Sequence, residues 1–116
     1  YFFDKYAILE IISGNTGYLK YKEAEGITTK LNLFELFYNI LKFNNKDKAS
    51  KYVNKYSEFV VDYSNDIIEQ AAILKFSNKK LSMADCIGYV VALKYGIKFL
   101  TGDDEFRNMP NVEFAK

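Results

Sequence analysis

Short apolar runs alternate along the chain with longer stretches of helical spacing. The runs YFF, ITT, FVV, IKFL and VEF are rich in aromatic or β-branched residues, as is typical of short buried strands. Between them, NLFELFYNILKF places apolar side chains on one helical face, at Leu33, Leu36, Phe37, Ile40 and Leu41. Strands separated by helices predict an α/β fold, in which helices cover both faces of a parallel sheet of four or five strands.

Glycine, serine and asparagine positions predict the helix boundaries. AILEIISG is predicted to be helical as far as Gly14, and TGYLKYKEAEG to form a second short helix closed by Gly26. KDKASKYVNKYSE is a lysine-rich helix of lower hydrophobicity. The other predicted helices start at Asn32 and Ser64, and one runs from Ser82 to Gly96. No repeat, low-complexity tract or linker interrupts the pattern, so we expect residues 1–116 to form a single domain.

The composition limits the chemistry that the chain can perform. It contains no histidine and one cysteine, Cys86, which excludes Ser-His-Asp and Cys-His catalysis, a disulfide within the chain and a cysteine-rich zinc site. We expect Cys86 to be a buried core thiol. Carboxylates without histidine favour hard, oxygen-preferring cations such as Mg²⁺ or Mn²⁺.

The overall charge and hydropathy point to no membrane partner. Sixteen basic and fifteen acidic side chains nearly cancel, so binding to a polyanion would depend on a local patch. The first residues, YFFDKYAILEI, lack the basic start of a signal peptide, and no uncharged stretch is long enough to cross a bilayer. We therefore expect a cytoplasmic protein.

Four acidic residues are predicted to lie at one edge of the sheet. Asp4 directly follows YFF, and Asp103 follows IKFLTG, so both lie at the carboxyl ends of predicted strands. Glu35 and Asp85 lie in the first turns of the helices that open with NLFE and SMAD. Ligands of open parallel sheets bind outside the carboxyl ends of the strands, where these four side chains could converge.

Each of these acids also has a purely structural interpretation. Glu35 and Asp85 match the capping-box spacing with Asn32 and Ser82, Asp4 could be an N-cap, and Asp103 could be a turn residue. Taken together, the acids favour a cation. The apolar neighbours of Glu35 and Asp85 would make an unpaired carboxylate costly, and Arg107, the one base near the acidic cluster, cannot neutralise four carboxylates.

The order and spacing of several motifs resemble those of PIN domains, and most closely of VapC-like toxin ribonucleases. The matching segments are YFFDKYAILEI, ITTKLNLFELFYNI, LSMADCIGYVVALKYGIKFLTGDDEF and NVEF, which span essentially the whole chain. The resemblance implies a three-layer α/β/α sandwich and an endoribonuclease that depends on Mg²⁺ or Mn²⁺. It also implies pairing with a small antitoxin and formation of a homodimer.

The resemblance assigns roles to individual residues. Asp4, Glu35, Asp85 and Asp103 match the acidic, metal-binding quartet of the family. Other positions match accompanying features: Asn32 and Thr101 are supporting polar residues, Asp104 and Glu105 are candidates for a second metal, and Phe106 has a packing role. Lys5 departs from the pattern, because VapC-like chains commonly carry a small hydroxyl residue after the first Asp. Lys5 and Arg107 are weak candidates for contacts with RNA phosphate.

Two other interpretations compete with a nuclease. A PIN-like module that binds RNA or docks a protein without catalysis would retain the same acids, so only an activity assay separates it from an enzyme. A phosphoryl-transfer receiver or a haloacid-dehalogenase-like phosphatase also has an Asp after its first strand. The segment FFDKY lacks the D-x-D of such phosphatases and the paired acids of receivers, which argues against that class.

Overall fold

Three parallel strands and five α-helices make up the fold of the computed structural model, which describes residues 1–116. The strands are β1 (Phe2–Phe3), β2 (Phe99–Thr101) and β3 (Val112–Phe114), in the order β1-β2-β3. The helices are α1 (Lys5–Ser13), α2 (Lys30–Phe43), α3 (Lys46–Tyr56), α4 (Asn65–Ser77) and α5 (Met83–Tyr95). Three 3₁₀ helices span Thr16–Tyr21, Ser57–Phe59 and Asp104–Phe106.

The prediction of four or five strands was wrong, because ITT and FVV do not form strands. They extend the sheet only through two isolated parallel bridges, which join Phe2 to Ile27 and Thr28 to Val60. Thr29 already caps α2, and the 3₁₀ helix Ser57–Phe59 ends directly before Val60. Each segment is therefore left too short to build a continuous ladder.

Neighbouring residues of the strands face opposite sides of the sheet, and each side has its own apolar core. Phe2 and Phe99 belong to a core that includes buried residues of α4 and α5. Phe3 and Leu100 belong to a second core, with buried residues of α1, α2 and α3. Strand side chains alternate between faces, so two-residue and three-residue strands suffice to anchor helices on both sides.

Helix α5 is buried along most of its length and lies close to the sheet. Its buried residues run without a break from Ala84 to Ala92. At Gly88 an added Cβ would lie 2.6 Å from the Phe2 ring, so only glycine permits this approach. The close packing fixes the first turn of α5, which carries Asp85, beside the end of β1.

Several helix boundaries agree with the sequence prediction. Gly14 and Gly96 end α1 and α5 in the left-handed conformation, with φ of 79° and 67°, and Ser64 and Ser82 precede α4 and α5. None of the helices is both long enough and apolar enough to cross a membrane.

The predicted type and end of one helix, and the predicted start of another, were wrong. TGYLKYKEAEG forms only the 3₁₀ helix Thr16–Tyr21, in which the buried Tyr18 and Tyr21 are spaced by the three residues of one 3₁₀ turn. Helix α2 begins at Lys30 rather than Asn32, because Thr29 is its N-cap. Glu35 therefore does not take part in a capping box.

Candidate active site

Asp4 lies between β1 and α1 and is almost fully buried, with 2% of its surface exposed. Its Oδ1 accepts a hydrogen bond from the Lys5 backbone N–H at 2.8 Å, which caps α1. Its Oδ2 accepts one from the Thr101 hydroxyl at 2.8 Å. The N-cap interpretation is thus correct, but capping does not require a carboxylate to be buried at the end of a strand.

Asp85 lies in the first turn of α5 and forms the capping box that the sequence predicts. Its Oδ2 accepts a hydrogen bond from the Ser82 backbone N–H at 2.9 Å, and its own N–H donates to Ser82 Oγ at 3.0 Å. Asp85 is also buried, with 8% of its surface exposed. The capping role holds this carboxylate in place and leaves Oδ1 available to a ligand.

Glu35 lies in α2, and the charge on its carboxylate acts on Asp85. Its Oε1 is buried and has no hydrogen-bond partner. The Lys5 ammonium group is 3.7 Å from this oxygen, close enough for an ion pair but too far for a hydrogen bond. Glu35 is therefore the acid with the least satisfied oxygen in the site.

Asp103 joins the site through Thr101. The Asp103 backbone N–H donates to Thr101 Oγ1 at 3.1 Å, and the same hydroxyl donates to Asp4. The side chain of Asp103 turns to the Glu105 backbone N–H, 3.0 Å away, and so caps the 3₁₀ helix Asp104–Phe106. Asp103 thus lies at the expected edge of the sheet, with one carboxylate oxygen held by a turn.

Asn32 is fully buried and connects α2 to α5. Its Nδ2 donates to the Ala84 carbonyl at 3.3 Å, and its Oδ1 accepts from the Thr29 hydroxyl at 2.5 Å. It therefore sets the spacing between the helices that carry Glu35 and Asp85. This placement agrees with a supporting role.

The remaining acids near β2 lie outside this group. Asp104 pairs with Arg107 and Lys116, each at 2.7 Å, and these bonds lower its pKa. Glu105 is exposed. Arg107 also lies over the Phe114 ring. Phe106 is fully buried in the core, which confirms its packing role.

The buried carboxylates disfavour one another's ionisation. Burial, followed by the charge of Asp85, raises the pKa of Asp4 to about 8, although the Thr101 hydrogen bond opposes the shift. Burial also raises the pKa of Asp85; the Ser82 backbone hydrogen bond opposes this shift, and the charge of Glu35 adds to it. Repulsion of this kind is relieved when a cation binds between the acids.

The chemistry of the candidate ligands suits a hard divalent cation, because all of them are carboxylate oxygens. One of these oxygens, Glu35 Oε1, has no hydrogen-bond partner. No three of the acidic side chains are arranged so as to hold one ion between them. Shared binding would therefore require side-chain rotation or ligands bridged by water.

Comparison with known proteins shows which family the sequence belongs to. The family model described as "PIN domain" matches residues 1–112. The chain belongs to the PIN domain family. The same residues include Asp4, Glu35, Asp85 and Asp103, although the match itself assigns no role to any of them.

A solved structure has the same fold as this PIN domain. It is described as a toxin-antitoxin complex from Klebsiella pneumoniae, with a TM-score of 0.71 and 18% sequence identity, and the match covers 97% of this chain and 94% of that one. At this identity the likeness establishes the fold alone. No curated protein is significantly similar to the chain in sequence.

Sequence reasoning missed one residue that shapes the site of this PIN domain and gave a second residue a different role. Thr29 is fully buried, caps α2 and orients Asn32, and the pair of threonines before KLN was the available signal. Lys5 was considered only as a weak contact for RNA, yet it forms an ion pair with Glu35. Its position after a buried strand-end Asp was the signal for a cation within the acidic group.

Proposed function

We propose that this chain is an Mg²⁺- or Mn²⁺-dependent endoribonuclease, acting in the cytoplasm as the toxin of a VapBC-type toxin–antitoxin pair. The observation that carries the proposal is the grouping of Asp4, Glu35 and Asp85 at the carboxyl end of the sheet. Asp4 is held largely uncharged at neutral pH by burial and by Asp85. Burying repelling carboxylates in a small domain is costly, and a site for a divalent cation accounts for that cost.

The chain's own residues would act by holding ligands and water. Asp4 and Asp85 are fixed by hydrogen bonds from Thr101 and Ser82, so they are the oriented ligands for an ion. Glu35, with its unpartnered Oε1, is suited to accept a hydrogen bond from an attacking water. A divalent ion bound there would supply an activated water and neutralise charge on the phosphodiester.

Asp103 is proposed as a further ligand, acting directly or through water. Its backbone N–H donates to the Thr101 hydroxyl, which itself donates to Asp4, and the hydrogen bond from Glu105 uses only Oδ1, so Oδ2 could bind an ion. Asp104 and Glu105 are weaker candidates for a second ion, because Asp104 is already neutralised by two basic groups and Glu105 faces solvent.

Exposed apolar surface supports partner binding. Side chains of Phe34 and Tyr38 on α2 are 70% and 60% exposed, and they border a groove of about 470 Å³ between α2 and α3. The structural neighbour is itself described as a toxin-antitoxin complex. We propose a small antitoxin and a second copy of the chain as the partners of such surfaces.

The proposal is tested by incubating the purified chain with a pool of structured RNAs in Mg²⁺, in Mn²⁺ and in EDTA. Cleaved ends are mapped for the wild type, for an Asp4→Asn/Asp103→Asn variant and for Asp66→Asn. Asp66 is a matched control, because it is an exposed carboxylate paired with Lys94. We expect cleavage that requires metal, disappears in the double variant and persists in Asp66→Asn.

Two outcomes of the RNA cleavage assay would contradict the proposal. If the folded protein binds metal and RNA but cuts nothing in the pool, the alternative of a non-catalytic PIN module is favoured. If cleavage persists in EDTA or in the double variant, the activity comes from a contaminant or from another site, and the proposed assignment is wrong.

A further inference from the structure

The Lys5 side chain brings a positive charge into the acidic group. Its Nζ is 3.7 Å from Glu35 Oε1, and its charge also acts favourably on Asp4 and Asp85. The other ion pairs of the molecule involve Asp66 and Asp104 instead. Lys5 is thus the cation that partly offsets the repulsion among these three carboxylates.

The contact between Lys5 and Glu35 is weak enough for another cation to replace the ammonium group. The ammonium group is beyond hydrogen-bond distance of Glu35 Oε1, which has no other partner. Its side chain is 31% exposed, so it can move into solvent on its flexible four-carbon stem. The backbone of Lys5 stays fixed, because its N–H is bonded to Asp4.

We propose that Lys5 is a tethered cation that competes with a divalent metal ion for Glu35 and weakens metal binding at this site. The inference rests on the proposed function, since it requires the acids to bind metal. Glu35 Oε1 lies 3.7 Å from the ammonium group, so an ion that uses this oxygen would have to displace Lys5.

The test is calorimetric titration of metal-stripped protein with Mn²⁺, with no RNA present. The proteins are the wild type, Lys5→Met, Lys5→Arg and Lys94→Met. Lys5→Met keeps the apolar stem and removes the charge, whereas Lys5→Arg keeps the charge. Lys94→Met removes an equal charge from the Asp66 ion pair, near the opposite end of α5 from Asp85. Circular dichroism and thermal unfolding establish that each variant is folded.

We expect Lys5→Met to bind Mn²⁺ about tenfold more tightly than the wild type, because a like charge near the ion is removed. Lys5→Arg and Lys94→Met should bind as the wild type does. Mn²⁺ should also raise the melting temperature of Lys5→Met by more than that of the wild type.

The alternatives lead to different conclusions. Equal or weaker Mn²⁺ binding by Lys5→Met overturns the competition but leaves the proposed metal site standing. If Lys94→Met increases the Mn²⁺ affinity as much as Lys5→Met does, the competition is also overturned, because the protein's net charge would then explain the increase. Absence of Mn²⁺ binding in both the wild type and Lys5→Met overturns this inference together with the proposed metal dependence.

Discussion

Asp4 is a carboxylate held where its charged form is costly, and its burial makes stability depend on pH. Its pKa in the folded protein is about 8, against an ordinary value of 3.8. Between these values the folded state binds more protons than the unfolded state, so the free energy of unfolding should fall as pH rises. The slope contributed by this group is at most about 1.4 kcal/mol per pH unit.

The prediction is checked by urea unfolding in EDTA from pH 5 to pH 8. The wild type should lose stability across this range, and Asp4→Asn should flatten the curve and be the more stable protein at pH 8. Because the chain has no histidine, few other groups titrate there. Asp66→Asn should keep the wild-type slope, since the pKa of Asp66 is lowered by Lys94 and its effect falls at lower pH. An equally steep curve for Asp4→Asn would contradict the assignment.

Cys86 directly follows Asp85, and burial and the Asp85 charge raise its pKa to about 11. Little thiolate then exists at neutral pH, and the side chain is 1% exposed. We expect its alkylation by iodoacetamide at pH 7.5 to be at least about 100-fold slower in the native protein than in urea. Rapid native alkylation would mean that the first turn of α5 opens readily.

The first turn of α5 depends on its capping box. Ser82 Oγ accepts a hydrogen bond from the Asp85 N–H, and the Asp85 carboxylate accepts one from the Ser82 N–H. Ser82→Ala should lower the free energy of unfolding by about 1 kcal/mol. Ser64 is the matched control, because it precedes α4 without a side-chain capping bond. Equal decreases in the free energy of unfolding for Ser82→Ala and Ser64→Ala would show that the capping box does not stabilise α5.

Helices whose boundaries depend on their own residues were predicted better than strands, whose formation depends on distant segments. The span of α5 followed from Ser82, Gly96 and an apolar run, all of which lie in the helix itself. The strands expected at ITT and FVV failed, since pairing depends on how much chain the neighbouring caps leave free. The capping box between Asn32 and Glu35 also failed, because Thr29 is the N-cap of α2, which begins at Lys30.

The positions of the candidate acids could be predicted from the sequence but their contacts could not, and their role as metal ligands stays a prediction. The rule that ligands bind at the carboxyl ends of parallel strands selected Asp4 and Asp103 from sequence alone. Side-chain direction was not predictable, because it depends on partners far apart in the chain. Thr101 bonds Asp4 across the sheet, and Lys5 is directed toward Glu35 in another helix.

At the scale of the whole molecule, metal binding, protonation and folding should be linked. The acids lie directly after β1, in α2 and α5, and in the loop after β2, so an ion bound among them would hold both helical layers to the sheet. Such an ion binds only the folded chain and stabilises it by RT ln(1 + [ion]/Kd). It must also displace the proton of Asp4, whose pKa is about 8.

Stabilisation by Mn²⁺ should therefore grow with pH. At pH 6 Asp4 is almost wholly protonated and competes strongly with the ion, whereas at pH 8 about half of it is ionised and the competition is much weaker. We expect Mn²⁺ to increase the free energy of unfolding by about 1–2 kcal/mol more at pH 8 than at pH 6, measured by urea unfolding at a fixed Mn²⁺ concentration. Asp4→Asn should lose this pH dependence, and Asp66→Asn should retain it. The same increment at both pH values in the wild type would mean that the ion binds away from Asp4, and the acids at the end of the sheet would then be structural.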